Sequence, residues 1–138
     1  MPSVAVDTGP LVAYLSKQDN DHELALNFFR KSSAVFVTNV AVLTEAAYLL
    51  SRKPAATTDL LKWVHEAFIV DRDTADDLLR IVGIMEKYTD LPADFADASL
   101  IAMCERLNIG QVATLNKDFD VYQLASGTRL QNMLQFGA

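Results

Sequence analysis

Ser3-Val4-Ala5-Val6-Asp7-Thr8-Gly9-Pro10 holds the chain's fold signature in eight residues. A short apolar run suited to a buried strand stops at a carboxylate, and three residues later a proline stands in the first turn of a helix. Strand, acid, helix is the opening of an α/β unit, and the same alternation continues along the chain. Asp21 to Lys31 carries Leu24, Ala25, Phe28 and Phe29 at helical spacing. Ala34-Val35-Phe36-Val37 reads as an interior strand, and Thr38 or Asn39 caps a helix running through Ala41 to Leu50. Pro54 separates that helix from another over roughly Thr58 to Ala67, and Phe68-Ile69-Val70 forms a third strand.

Further on, Asp73 or Thr74 caps a helix from Ala75 to about Lys87. Pro92 suits the first position of a helix extending to about Leu107, which Asn108-Ile109-Gly110 ends, with the glycine supplying the left-handed turn. Gln111 to Leu115 is a fourth strand, and the tail from Asn116 onward is a loop with short elements. The pattern predicts a three-layer α/β/α fold with a mainly parallel central sheet flanked by helices. One domain over residues 1–138 accommodates all of it, with no linker, repeat or low-complexity segment.

Composition narrows the function classes. Half of the 138 residues are apolar, enough for an ordinary core. No apolar stretch approaches the roughly 20 residues of a membrane span. The N-terminal apolar run is too short for a signal peptide, so a soluble, cytoplasmic chain is expected. Cys104 is the single cysteine, which excludes an internal disulfide and a cysteine-rich zinc site; it lies in an apolar helix and reads as core. The net charge of −6 disfavours non-specific nucleic-acid binding. Two bound divalent ions would cancel four of those charges, and Lys17, Arg52, Lys53 and Lys117 remain to grip a phosphodiester locally.

In an open parallel sheet the binding crevice lies beyond the carboxyl ends of the strands. Asp7 follows the first strand and Asn116 lies just past the fourth, so the two can approach one another. Asp7 has a competing reading as a helix N-cap. Glu45 sits mid-helix among Val42, Leu43, Ala46, Ala47, Leu49 and Leu50, where a carboxylate is costly to bury unless paired or metal-bound. Its competing reading is a narrow solvent-facing stripe beside Arg52 or Lys53. Asp94 and Asp97 are three residues apart, hence on one helix face, where a shared cation would reverse their repulsion. Their place in the first turns is also favoured by the helix dipole alone.

Carboxylates from separate segments, without cysteine or a nearby histidine, are hard ligands suited to Mg²⁺ or Mn²⁺. Such ions lower the pKa of a water and stabilise charge developing on a phosphate. No serine lies on a Gly-x-Ser-x-Gly turn, and His22 and His65 sit in exposed-looking helical sequence, which argues against a nucleophilic triad. The acidic run Asp71-Arg72-Asp73 with Asp76 and Asp77 reads as a capped, solvated helix start. Asp118 reads as a turn residue before Phe119.

Four segments in register carry a resemblance: Val4-Ala5-Val6-Asp7-Thr8; the helix Asn39 to Leu50 bearing Glu45; Phe95-Ala96-Asp97-Ala98-Ser99-Leu100-Ile101-Ala102; and Val112-Ala113-Thr114-Leu115-Asn116-Lys117-Asp118-Phe119. Together they resemble PIN-domain ribonucleases, in particular the VapC toxins of toxin–antitoxin pairs, over about residues 3 to 122. The resemblance implies a pocket binding one or two Mg²⁺ or Mn²⁺ ions, cleavage of RNA, a homodimer and inhibition by a small antitoxin protein. By position, Asp7, Glu45 and Asp97 match the core catalytic, metal-holding acids, and Asp94 an additional acid of part of the family. Thr8 and Thr114 are supporting residues that orient carboxylates or phosphate. Asn116 departs from the pattern by replacing a fourth acid, which places a second metal in question.

Other classes fit the residues less well. A receiver-type phospho-acceptor needs an aspartate after a central strand and an acidic pair after the first; only Asp71 answers the first requirement and nothing answers the second. A haloacid-dehalogenase-type phosphatase needs an acid where Gly9 stands. A catalytically impaired PIN-like module that only binds a partner has Asn116 as its support.

Overall fold

The computed structural model describes residues 2–134; Met1 and residues 135–138, the two ends of the predicted domain, lie outside the described residues. The opening octapeptide forms β1 (Ser3–Val6) and α1 (Thr8–Leu15), with Asp7 at the junction. The chain continues through α2 (His22–Lys31), β2 (Val35–Asn39), α3 (Val40–Leu49), α4 (Pro54–Ala67) and β3 (Phe68–Asp71). A 3-10 turn at Thr74–Asp77 leads into α5 (Leu78–Lys87), followed by α6 (Phe95–Leu107), β4 (Gln111–Ala113), a second 3-10 turn at Lys117–Asp120, and β5 (Gln131–Asn132).

The five strands run in the order β3-β2-β1-β4-β5, and every ladder between them is parallel. The expected parallel α/β sheet is therefore observed, with six helices around it. From β1 to β3 the chain steps toward one edge; the β3–β4 connection then leaps back over β1. With right-handed crossovers, that reversal turns α5 and α6 to the opposite face of the sheet. It also makes the gap between β1 and β4 the topological switch point, where a crevice opens beyond the carboxyl ends.

Several boundaries differ from the sequence reading for local reasons. Pro54 starts α4 directly, taking its first position. Pro92 instead lies outside α6, because Asp94 is the N-cap and its carboxylate accepts from Asp97 N at 2.8 Å. Asn39 caps α3, accepting from Val42 N at 2.9 Å. The left-handed residue closing α6 is Asn108, at φ 56°, and not Gly110. Ile109 N then reaches back to Cys104 O, and asparagine tolerates this conformation because its side chain is short and polar.

The acidic run at 71–77 is not the solvated helix start it resembles. Asp71 and Asp77 are buried, and Arg106 from the end of α6 donates to both, at 2.6 Å and 3.0 Å; Asp73 stands 3.8 Å away. Buried carboxylates are tolerable only with such partners. From Ala96 to Cys104, α6 is buried without interruption, so it is apolar nearly all round and serves as the central post of its face. Cys104 lies in that post, where burial pushes its thiol up to about 12. No described helix is long and apolar enough to cross a membrane.

Candidate active site

Asp7 stands at the switch point. Its N–H donates to Ala113 O at 3.0 Å, fixing its backbone against the end of β4. Gly9 permits this approach, since a Cβ there would come within 3.1 Å of the Leu115 side chain. Asp7 occupies the N-cap position of α1, yet its carboxylate caps nothing. Instead Oδ2 accepts from Thr114 Oγ1 at 2.7 Å, while Oδ1 is buried with no hydrogen-bond partner. A buried carboxylate oxygen without a donor is expensive unless something outside the chain satisfies it. Burial raises the Asp7 carboxyl above its ordinary value; the Thr114 hydroxyl and the Thr8 backbone oppose this, and Asp94 adds to it.

Asp97, in the first turn of α6, is also buried. Its carboxyl is pushed up to about 8, first by burial and then by the charges of Asp7, Asp94 and Glu45. Glu45, half-buried on α3, is raised by burial, with Asp94 and Asp7 adding and Thr8 opposing. The Thr8 hydroxyl is nevertheless buried without a closed hydrogen bond, so its support is weak. Among the described residues no Lys or Arg pairs with Glu45, so its charge neighbours are acids. Asp94 is exposed and engaged as the α6 cap.

The remaining members complete a hydrogen-bonded rim. Asn116 N donates to Thr114 Oγ1 at 3.0 Å, and Asn116 Nδ2 reaches Asp97 Oδ2 at 3.5 Å. Its Oδ1 caps the 3-10 turn by accepting from Asp118 N, which leaves Asp118 in the turn expected of it. The structure thus brings Asp7, Thr8, Glu45, Asp94, Asp97, Thr114 and Asn116 to one end of the sheet. Of the four basic residues, Lys117 alone is beside them. Lys17, Arg52 and Lys53 lie past the C-terminal ends of α1 and α3, about 12–15 Å of helix from that edge.

Three contributors escaped the sequence reading. Tyr122 is buried, its hydroxyl donates to Leu91 O at 3.4 Å, and burial followed by the charges of Asp97, Asp118, Asp94 and Asp7 drives its phenol upward. Ser99 accepts from Asn39 Nδ2 at 3.2 Å, tying the helix of Asp97 to the cap of the helix bearing Glu45. Asn132 of β5 bonds the Thr114 backbone on both sides. Only Asn39 carried a sequence signal, as a helix cap. A groove of about 470 Å³ extends from the site, lined by Thr114, Asn116, Lys117, Asn132 and the apolar Leu24 and Leu115.

Whether a divalent cation suits the group follows from its chemistry. The donors are hard oxygens of like sign, they destabilise one another's charge, and Asp7 Oδ1 lacks a partner; a hard dication answers all three. Among the described residues no three acidic, histidine or cysteine side chains are grouped closely enough to hold one ion together.

A parallel sheet in the order 3-2-1-4-5 with acids gathered at its switch point defines a class of acidic-site α/β domains. The PIN domain family model matches residues 4–124, and the chain belongs to that family. Among solved structures it is similar to VapC20 of Mycobacterium tuberculosis, a toxin described as cleaving the sarcin–ricin loop. The TM-score is 0.80 at 21% identity, covering 91% of this chain and 98% of that one. It is also similar to the VapBC2 structure from Rickettsia felis bound to a promoter DNA fragment, with a TM-score of 0.61, 15% identity, and 86% and 92% coverage. At these identities the likeness is one of fold. A comparison with curated protein sequences finds no significant match.

Proposed function

We propose that this chain is a single-domain, Mg²⁺- or Mn²⁺-dependent endoribonuclease, the toxin of a toxin–antitoxin pair. The observation that carries the reading is Asp7: a buried carboxylate in a PIN-family chain, with one oxygen held by Thr114 and the other without a partner beside three further acids. A bound Mg²⁺ or Mn²⁺ supplies an acidified water and neutralises charge on the phosphate. Asp7, Asp97 and Glu45 are the residues to hold it. Thr114 and Asn116 orient Asp7 and Asp97, Asp94 raises the local negative charge, and Thr8 backs Glu45. RNA is the substrate, cut at a phosphodiester near Lys117.

A small antitoxin protein is the proposed partner, and a homodimer the proposed assembly, in the cytoplasm. The exposed apolar residues Leu78, Leu79, Val82 and Met85 along α5 support a surface that is covered in use. One observation favours a second reading, a PIN-like module that binds without cutting: no three acids are grouped as ready ligands among the described residues.

One experiment separates them. The purified chain, free of any partner, should cut RNA with Mn²⁺ or Mg²⁺ and stop with chelator. Asp7→Asn and Asp97→Asn should each lower the rate by about 10²-fold or more, since each removes charge where ion and phosphate meet. Asp73→Asn, an exposed position, serves as the control. Metal-dependent cleavage retained in both active-site variants would sink the mechanism.

A further inference from the structure

We infer that Asn132 is a positioning residue for the proposed reaction: its side-chain amide fixes Thr114 so that the Thr114 hydroxyl holds Asp7 Oδ2 and turns Oδ1 toward the site. The inference rests on the nuclease reading and adds a residue to it. β5 is only two residues long, and its ladder to β4 pairs Gln111 with Gln131 and Val112 with Asn132. The last backbone bond is Met133 N to Val112 O at 2.7 Å, which stops short of Thr114.

The Asn132 amide continues the ladder. Its Oδ1 accepts from Thr114 N at 3.3 Å and from Leu134 N at 3.1 Å, and its Nδ2 donates to Thr114 O at 3.0 Å. A side-chain amide offers one acceptor and a donor in one plane, as a strand residue does. The two facing N–H groups fix which end is oxygen, so the orientation is determined by its partners. Thr114 is thereby held on both backbone groups. Its hydroxyl, receiving Asn116 N at 3.0 Å, has its own proton directed to Asp7 Oδ2 at 2.7 Å. Aspartate at 132 has the same shape but faces Thr114 O with a second acceptor; leucine offers neither group. Residues that orient a metal-holding carboxylate through such a bond typically matter about 10–100-fold.

The test compares wild type, Asn132→Asp, Asn132→Leu, Thr114→Val and the Thr114→Val, Asn132→Asp double variant, with exposed Gln131→Ala as control. Read-outs are kcat and KM for RNA, and the Mn²⁺ concentration at half-maximal rise in Tm. The expected result is a loss of about 10–100-fold in kcat for Asn132→Asp, carried by kcat and not KM, with a raised Mn²⁺ midpoint. In the Thr114→Val background the same change should cost nothing further, because Asn132 acts through Thr114. A residue that only stabilises the fold would lower Tm and leave kcat and the Mn²⁺ midpoint alone.

Wild-type kcat and midpoint in Asn132→Asp, beside an inactive Asp7→Asn, overturn the inference and leave the nuclease reading intact. Wild type that neither cuts RNA nor responds to Mn²⁺ fails the nuclease reading itself. Should the Asn132 variants not fold, amide exchange of wild type decides. A Thr114 N–H as protected as the β4 ladder supports the clamp; exchange at the rate of an exposed amide removes it.

Discussion

Asp97 is the residue whose chemistry is most exposed to measurement. Its carboxyl, pushed up to about 8 from an ordinary 3.8, keeps its proton when folded over a range in which the unfolded chain has lost it. The metal-free folded state therefore binds more protons, and its stability falls as pH rises from about 4 through about 8. In chelator, the melting temperature should decline across that window, and Asp97→Asn should flatten the decline by removing the titrating group. Asn116 donates toward Asp97, so Asn116→Asp should steepen the decline. An Asp97→Asn curve parallel to wild type contradicts this assignment. Asp7 shows what sequence can tell at this scale: its place after a strand was legible, and so was its rivalry with capping. That the carboxylate caps nothing depends on Thr114, 107 positions away, and no local pattern announces such a partner.

Elements were legible where burial writes a periodic signal. Val4-Ala5-Val6, Val35-Phe36-Val37 and Phe68-Ile69-Val70 all lie in strands, and the apolar run after Asp97 is the buried α6. β5 was not legible, because two polar residues, Gln131 and Asn132, carry no apolar pattern and pair only with a neighbour already in place. The acidic run at 71–77 misled for a related reason: its cation, Arg106, arrives from α6, 29 and 35 residues away. That arrangement fixes the C-terminal end of α6 to β3 and the turn before α5. Arg106→Leu should therefore destabilise the fold by about 2–3 kcal/mol, between the exposed and fully buried limits for stranding a carboxylate. Asp73→Asn, at the exposed margin of the same cluster, should cost well under 1 kcal/mol or so. Urea unfolding of both variants measures the difference; equal midpoints would make the cluster a surface decoration.

For the molecule as a whole, the proposed substrate poses a problem of charge: a chain of net charge −6 would have to hold an anionic polymer. Sequence offered four cations for the task, and the fold keeps one of them at the acidic edge: Lys117, on the turn after β4, bordering the groove beside Thr114 and Asn116. Lys17, Arg52 and Lys53 are carried to the far ends of α1 and α3, where Lys53 Nζ donates to Gln18 Oε1 at 2.9 Å. Each phosphate neutralised by a protein cation contributes a slope of about −0.7 to a plot of log affinity against log salt for single strands. With one cation at the site, RNA binding by an inactive Asp7→Asn chain in Mg²⁺ should show a slope of about −0.7, far shallower than that of basic RNA-binding domains. Lys117→Ala should remove most of that slope and weaken binding to all sequences alike, since a phosphate contact carries no sequence information. Arg52→Ala should leave the slope unchanged. A slope of about −2 that ignores Lys117 and responds to Lys17, Arg52 and Lys53 would move the RNA path to the opposite edge of the sheet. Recognition would then have to span the length of α1 to reach Asp7, and a substrate long enough to cover both edges would be cut far better than a short one.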